Sequence, residues 1–188
     1  MKRLSFILGL PILFIFAACN PANEFETELS EIDSLIAHIE KREAELDGIE
    51  FDSLKMMVDH VNKNEELIGQ YYRPDTLDED FGRLMNECKG IRKKLTNLDK
   101  KYIDYGDEMN AIKHQFMDLK EDILNGILGK EKIDEYLTKE KKDWEVTELT
   151  FVEFNEMQKK QSKVYYVSVP KVDQYLERII TESDTLSQ

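Results

Sequence analysis

Between Leu77 and Ile123 the chain carries an unbroken heptad pattern. Apolar or aromatic residues stand at Leu77, Phe81, Leu84, Cys88, Ile91, Leu95, Leu98, Tyr102, Tyr105, Met109, Ile112, Phe116, Leu119 and Ile123. The steps alternate four and three throughout, which keeps one stripe of a helix turned toward a partner. Such a stripe cannot stay in water, so the pattern predicts a long helix packed on other helices. Gly82, Gly90 and Gly106 lie beside the seam, each costing a helix up to about 1 kcal/mol relative to Ala. We read the helix as continuing through Gly106.

A second stretch, Glu24–Tyr72, repeats the pattern at Phe25, Leu29, Ile32, Ile36, Ile39 and Leu46, then at Leu54, Val58, Val61, Ile68 and Tyr72. The interruption falls at Asp47-Gly48. It reads either as a stutter, which locally unwinds a supercoil, or as a break at Gly48. Glu24–Tyr72 spans 49 residues and Leu77–Ile127 spans 51. At about 1.5 Å per residue each would reach about 75 Å. Pro74 separates them, and proline cannot continue a helix. Asp75 or Thr76 can cap the second helix, with Asp78, Glu79 and Asp80 favourable in its first turn. The expectation is an antiparallel coiled-coil hairpin.

Asn125-Gly126 and Gly129 supply a helix stop. A third helix is expected over Lys130–Lys163, with Ile133, Leu137, Trp144, Leu149, Val152 and Met157 inward. Val164–Val169 has β propensity and reads as an extended link. Pro170 suits the first turn of a short last helix bearing Val172, Tyr175, Leu176, Ile179 and Ile180. The predicted class is all-α: an elongated antiparallel bundle with three long helices and a short C-terminal one. The bundle covers residues 24–184, with a disordered tail at 185–188.

The start of the chain carries a separate signal. Met1-Lys2-Arg3 is positive, and the 15 residues Leu4–Ala18 are apolar but shorter than a membrane span. The segment ends Phe16-Ala17-Ala18-Cys19, which resembles the lipobox of bacterial lipoproteins, with Phe16 where Leu is commonest. The resemblance implies that residues 1–18 are a signal peptide and that Cys19 is acylated, by palmitate-type chains among others. Residues 19–23 would then be a lipidated tether. It covers the signal only. Two or three acyl chains hold a membrane firmly, at about 0.8 kcal/mol per buried CH₂. In this class Asp after the cysteine often signals inner-membrane retention, so Asn20 implies the outer membrane, facing periplasm or cell surface. Cys88, the other cysteine, sits on the seam and reads as a small buried hydrophobe, with intermolecular pairing as the other reading.

Charge excludes one broad class. The chain has 26 Lys+Arg and 39 Asp+Glu, a net charge of −13. Removal of Lys2 and Arg3 with the signal would make it 24 − 39 = −15. Nucleic acid needs clustered Lys and Arg, so it is not the expected partner.

The search for catalytic chemistry yields no constellation. His38, His60 and His114 lack the E-x-x-H and H-E-x-x-H settings of helical metal sites. No phosphate-cradling loop, G-x-S-x-G or cysteine pair occurs. The acidic turn around Asp75–Asp80 lacks the spacing of an EF-hand. No cofactor or metal is expected. Tyr71, Tyr72 and Arg73 at the hairpin turn form a candidate partner contact, since Tyr and Arg are enriched in hot spots; packing at a helix end is the plainer reading.

The tripeptide Asp-Ser/Thr-Leu recurs with its hydroxyl at Ser34, Ser53, Thr76 and Thr185. It resembles the O-glycosylation acceptor of exported Bacteroidota proteins, which would make these four the acceptors. Helix capping also explains Asp beside Ser or Thr. The expected function is therefore a non-catalytic, membrane-anchored envelope lipoprotein acting as a helical scaffold or protein-interaction module. A periplasmic client- or ligand-binding protein, of chaperone or inhibitor type, is the alternative. A heptad seam can also pair two copies of the chain.

Overall fold

The computed structural model describes residues 21–73 and 78–186. Residues 1–20, which include the expected signal peptide and Cys19, and Pro74, Asp75, Thr76 and Leu77 lie outside the described residues. Every element among them is helical. A one-turn helix α1 (Pro21–Glu24) precedes α2 (Glu26–Asp47) and α3 (Phe51–Tyr71). The chain returns through α4 (Glu79–Lys94) and α5 (Leu98–Leu124). It then runs back along both through α6 (Lys130–Leu186).

Cross-helix contacts fix the directions. Lys113 meets Glu43 at 2.5 Å and Lys120 meets Asp33 at 2.5 Å, so α5 runs antiparallel to α2. Arg92 meets Glu65 and Tyr72 packs on Phe81, which makes α4 antiparallel to α3. Lys130 reaches Glu28 and Arg42 reaches Glu148, so α6 starts beside α2 and follows it in parallel. Farther along, Asn64 donates to Asp173, placing the second half of α6 beside α3.

Two cores result. One joins α2, α5 and the first half of α6 through Ile32, Ile39, Met109, Phe116, Ile133 and Trp144. The other joins α3, α4 and the second half of α6 through Val61, Phe81, Ile91, Leu95, Val169 and Val172. Phe51 and Tyr105 touch both cores at the level where they meet, here called the waist. At about 1.5 Å per residue, the 57 residues of α6 extend about 85 Å.

The chain breaks twice at this waist, once between α2 and α3 and once between α4 and α5. The first break is at Gly48, which settles the open choice in favour of a break. Gly48 keeps right-handed angles (φ −76°, ψ −5°), and Ile49 donates to the Leu46 carbonyl at 3.0 Å. The second break corrects the expected unbroken second helix. α4 ends at Lys94, and Asn97 takes a left-handed φ of 55° before α5 begins. Asn tolerates that region better than most residues. Gly106 lies inside α5 without interruption, as expected. The start of α4 also differs: its cap is Asp78, whose carboxylate accepts from the Phe81 amide at 3.0 Å.

The seam itself is where the pattern put it. Of its 13 described positions, 10 are buried, Leu84 and Tyr105 are half-buried, and Tyr102 is exposed. The burial is all within one chain. The Gly stop after α5 is a Schellman motif: Ile127 donates to Asp122 and Gly126, at φ 66°, donates to Ile123.

The C-terminal third needs the largest correction. Neither the extended link at Val164–Val169 nor a separate short helix forms. One helix runs through both and contains Pro170 in its interior. Val169, Val172 and Leu176 are buried, and their packing overrides β propensity and the loss of the Pro170 N–H. Thr185 sits on the last turn of α6, its hydroxyl donating to the Thr181 carbonyl at 2.8 Å. Leu149, expected inward, is exposed, while Phe151 and Phe154 fill the core.

Candidate functional site

The breaks at the waist leave a surface groove of about 780 Å³ between the α2–α3 junction and the first turns of α5. Ile49, Phe51, Met56, Tyr102 and Ile103 supply its apolar lining. Met56 is 65% exposed, Ile103 58% and Tyr102 40%. Phe51 is held in place by Tyr102 (ring centroids 4.9 Å apart) and by Phe154 of α6 (6.2 Å, planes 16° apart). The groove thus has a rigid aromatic floor tied to the bundle spine.

Asp47, Glu50, Asp52 and Asp99 stand round this floor, and no Lys, Arg or His lines the groove. The Tyr102 hydroxyl donates to Asp47 at 3.2 Å, and that bond to a carboxylate holds the Tyr102 phenol above its usual range. Asp99 has Lys55 at 3.6 Å, an exposed pair worth little in water. Glu50 and Asp52 have no ion-pair partner among the described residues. The α3 N-terminus has no side-chain cap.

A second polar cluster links α3 to α6. His60 Nδ1 lies 2.7 Å from the Tyr165 hydroxyl, and its Nε2 lies 3.2 Å from Asp173. Buried Asn64 donates to the same Asp173 oxygen at 2.6 Å. Burial raises the Tyr165 phenol. In the neutral ring, Tyr165 can donate to Nδ1 while Nε2–H donates to Asp173, so every group is paired. His38 does similar work lower down: it meets Glu148 at 3.1 Å and the edge of Trp144. Both histidines are inter-helix links, and His114 is exposed.

The residues singled out from sequence scatter. Tyr72 belongs to an aromatic cluster with Phe81 and Tyr175, itself covered by the Arg178 guanidinium 4.5 Å away. Arg73 donates to the Gly69 and Tyr72 carbonyls and closes the end of α3. Tyr71 is half-buried beside them. Ser34 and Thr185 are exposed, and Ser53 is half-buried on the rim of the waist groove. Thr76 and Cys19 lie outside the described residues. Cys88 is buried and unpaired, and burial raises its thiol to about 11. A thiol so placed is protonated at neutral pH and unreactive.

Among the described residues, no group of three or more His, Cys, Asp or Glu is placed to hold a metal ion. No described helix is long and apolar enough to cross a membrane. Compared with known proteins, the chain matches no family model, no curated protein and no solved structure.

Proposed function

We propose that the protein is a non-catalytic envelope lipoprotein, anchored through acyl chains on Cys19, whose elongated helical rod is a scaffold or protein-interaction module. The observation that carries this reading is α6. It is a single helix of 57 residues shared by two cores, and its extent suits holding a surface at a distance rather than enclosing a substrate. α2 begins a few residues after Cys19, so the Tyr72 end would stand several tens of ångströms from the membrane. The acyl anchor accounts for membrane attachment without a spanning helix. Outer-membrane placement, facing periplasm or cell surface, rests on Asn20.

The waist groove favours the related reading of a client-binding protein, because it presents apolar surface inside an acidic frame. Partner binding and a scaffold role are compatible on one rod.

Membrane fractionation with a labelled palmitate analogue tests the anchor. Wild-type protein is expected in the membrane fraction carrying label, and Cys19→Ala is expected unlabelled and released. A Cys19→Ala chain that stays membrane-bound and is trimmed like wild type would overturn the lipoprotein reading.

A further inference from the structure

We propose that the waist groove docks a cationic segment of a partner protein, one bulky apolar side chain flanked by Lys or Arg. The proposal deepens the interaction-module reading and rests on it. Three observations converge. The groove is concave and its floor is apolar, with Phe51 backed by the Phe154 ring. Met56 and Ile103 leave more than half their surface in water at its edge. Four carboxylates surround the floor without a cation among the lining residues.

Each feature selects for part of the partner. An exposed apolar floor is stabilised by covering it, and its size suits one or two large side chains. Glu50 and Asp52, without an ion-pair partner among the described residues, attract Lys or Arg on either side of that anchor. The Tyr102 ring, 40% exposed, also offers an aromatic surface to a guanidinium or ammonium group. A second copy of the chain is the poorer occupant: each carries −13, and the groove would meet more negative charge. Steering by the acidic frame speeds encounter with a basic segment and weakens with salt.

Fluorescence anisotropy tests the assignment, using the folded protein and a labelled hexapeptide with a central Leu-Trp pair between paired lysines. Binding at micromolar to submillimolar concentration is expected. The Glu50→Gln/Asp52→Asn double variant should weaken it about fivefold, in line with two exposed charge pairs. Ile103→Lys, at an exposed position that leaves both cores intact, should lose binding tenfold or more. A control peptide of lysines without the Leu-Trp pair should bind at least tenfold more weakly. Equal binding of the two peptides, or unchanged affinity in both variants, overturns the proposal. So does a dimer in sedimentation that Ile103→Lys dissolves, because the occupant would then be a second copy. Membrane fractionation of Ile103→Lys should match wild type, which separates failure of the groove from failure of the lipoprotein reading.

Discussion

The rings of Phe81 and Tyr175 stack face to face, centroids 3.9 Å apart and planes 14° from parallel. Phe81 is in the first turn of α4 and Tyr175 lies eleven residues before the end of α6, so this stack closes the α3–α4 end of the second core, and α6 continues past it. Tyr72 leans on both rings. The same contact packs half-buried Tyr72 into the bundle. Replacing Phe81 by Ala removes a buried ring, and a loss of about 3–5 kcal/mol is expected. Urea denaturation measures it; a loss below 1 kcal/mol would mean that the stack is not part of the stable fold.

The two cores share one helix, and that predicts a single unfolding transition. Phe116 is fully buried in the first core and Ile91 in the second. Phe116→Ala and Ile91→Ala should each cost about 2–5 kcal/mol and move the same cooperative midpoint. Circular dichroism of α-helix content and fluorescence of Trp144 should coincide in both variants. Separate transitions for the two probes would show that the halves fold independently.

Pro170 is exposed and interior to α6. Alanine there restores an N–H that can bond the Tyr166 carbonyl and removes a ring that crowds it. Pro170→Ala should raise stability by about 1–3 kcal/mol. Gly106→Ala should raise it by about 0.5–1 kcal/mol, since a Cβ there meets only Leu46 Cδ2 at 3.9 Å, an ordinary contact. Thermal denaturation reads both, and a lower melting temperature in either would contradict the assigned backbone.

Alkaline pH should destabilise the fold in a defined window. Burial lifts the Cys88 thiol from 9.0 to about 11 and raises the phenols of Tyr105, Tyr165 and Tyr175. A raised value means that the folded chain holds its proton where the unfolded chain has released it. The stability is therefore full below pH 9 and is lost as pH rises toward 11. The Cys88 difference alone corresponds to about 2–3 kcal/mol. Cys88→Ala should flatten the decline between pH 9 and 11 in urea titrations; an unchanged slope would show that the thiol is not the group responsible.

Sequence reasoning reached the helical class and most of the α4–α5 seam because apolar spacing is enforced by burial. It missed the break at Leu95–Asn97 because Ile91, Leu95, Leu98 and Tyr102 keep the four-three rhythm straight across it. It divided α6 because Val164–Val169 has β propensity and Pro170 suits a first turn, and no unbroken apolar pattern argued against the division. Ile133, Leu137, Trp144, Phe151, Phe154, Val172 and Leu176 follow a regular seam, but Glu140, Thr147, Gln158, Gln161 and Ser168 occupy buried positions on it. Two of them are hydrogen-bonded, Gln158 donating to Asn155 within the helix and Ser168 to Glu87 across to α4, so burial does not require those positions to be apolar; one Glu140 carboxylate oxygen is buried without a partner among the described residues. The groove left only a faint signal: Met56 and Ile103 are apolar residues off the seam. Their convergence depends on two breaks lying side by side, which no single stretch of sequence displays.

Ser53 lies on the rim of the groove, between Asp52 and buried Leu54. A glycan on Ser53 and a peptide in the groove would compete for the same space. If the tripeptides are acceptors, mass spectrometry of protein purified from its native cells should find Ser34 or Thr185 modified ahead of Ser53, since both are exposed. Full occupancy at Ser53 would be incompatible with docking there.

The spine formed by α6 also constrains how such a rod can change through descent. A heptad inserted into α6 alone would slide one core out of step with its partners by about 10 Å. Register is restored only if seven residues also enter the outgoing leg and seven the returning one. The rod can therefore lengthen or shorten only by concerted changes at three distant places in the chain, whereas the waist breaks can be remodelled one at a time.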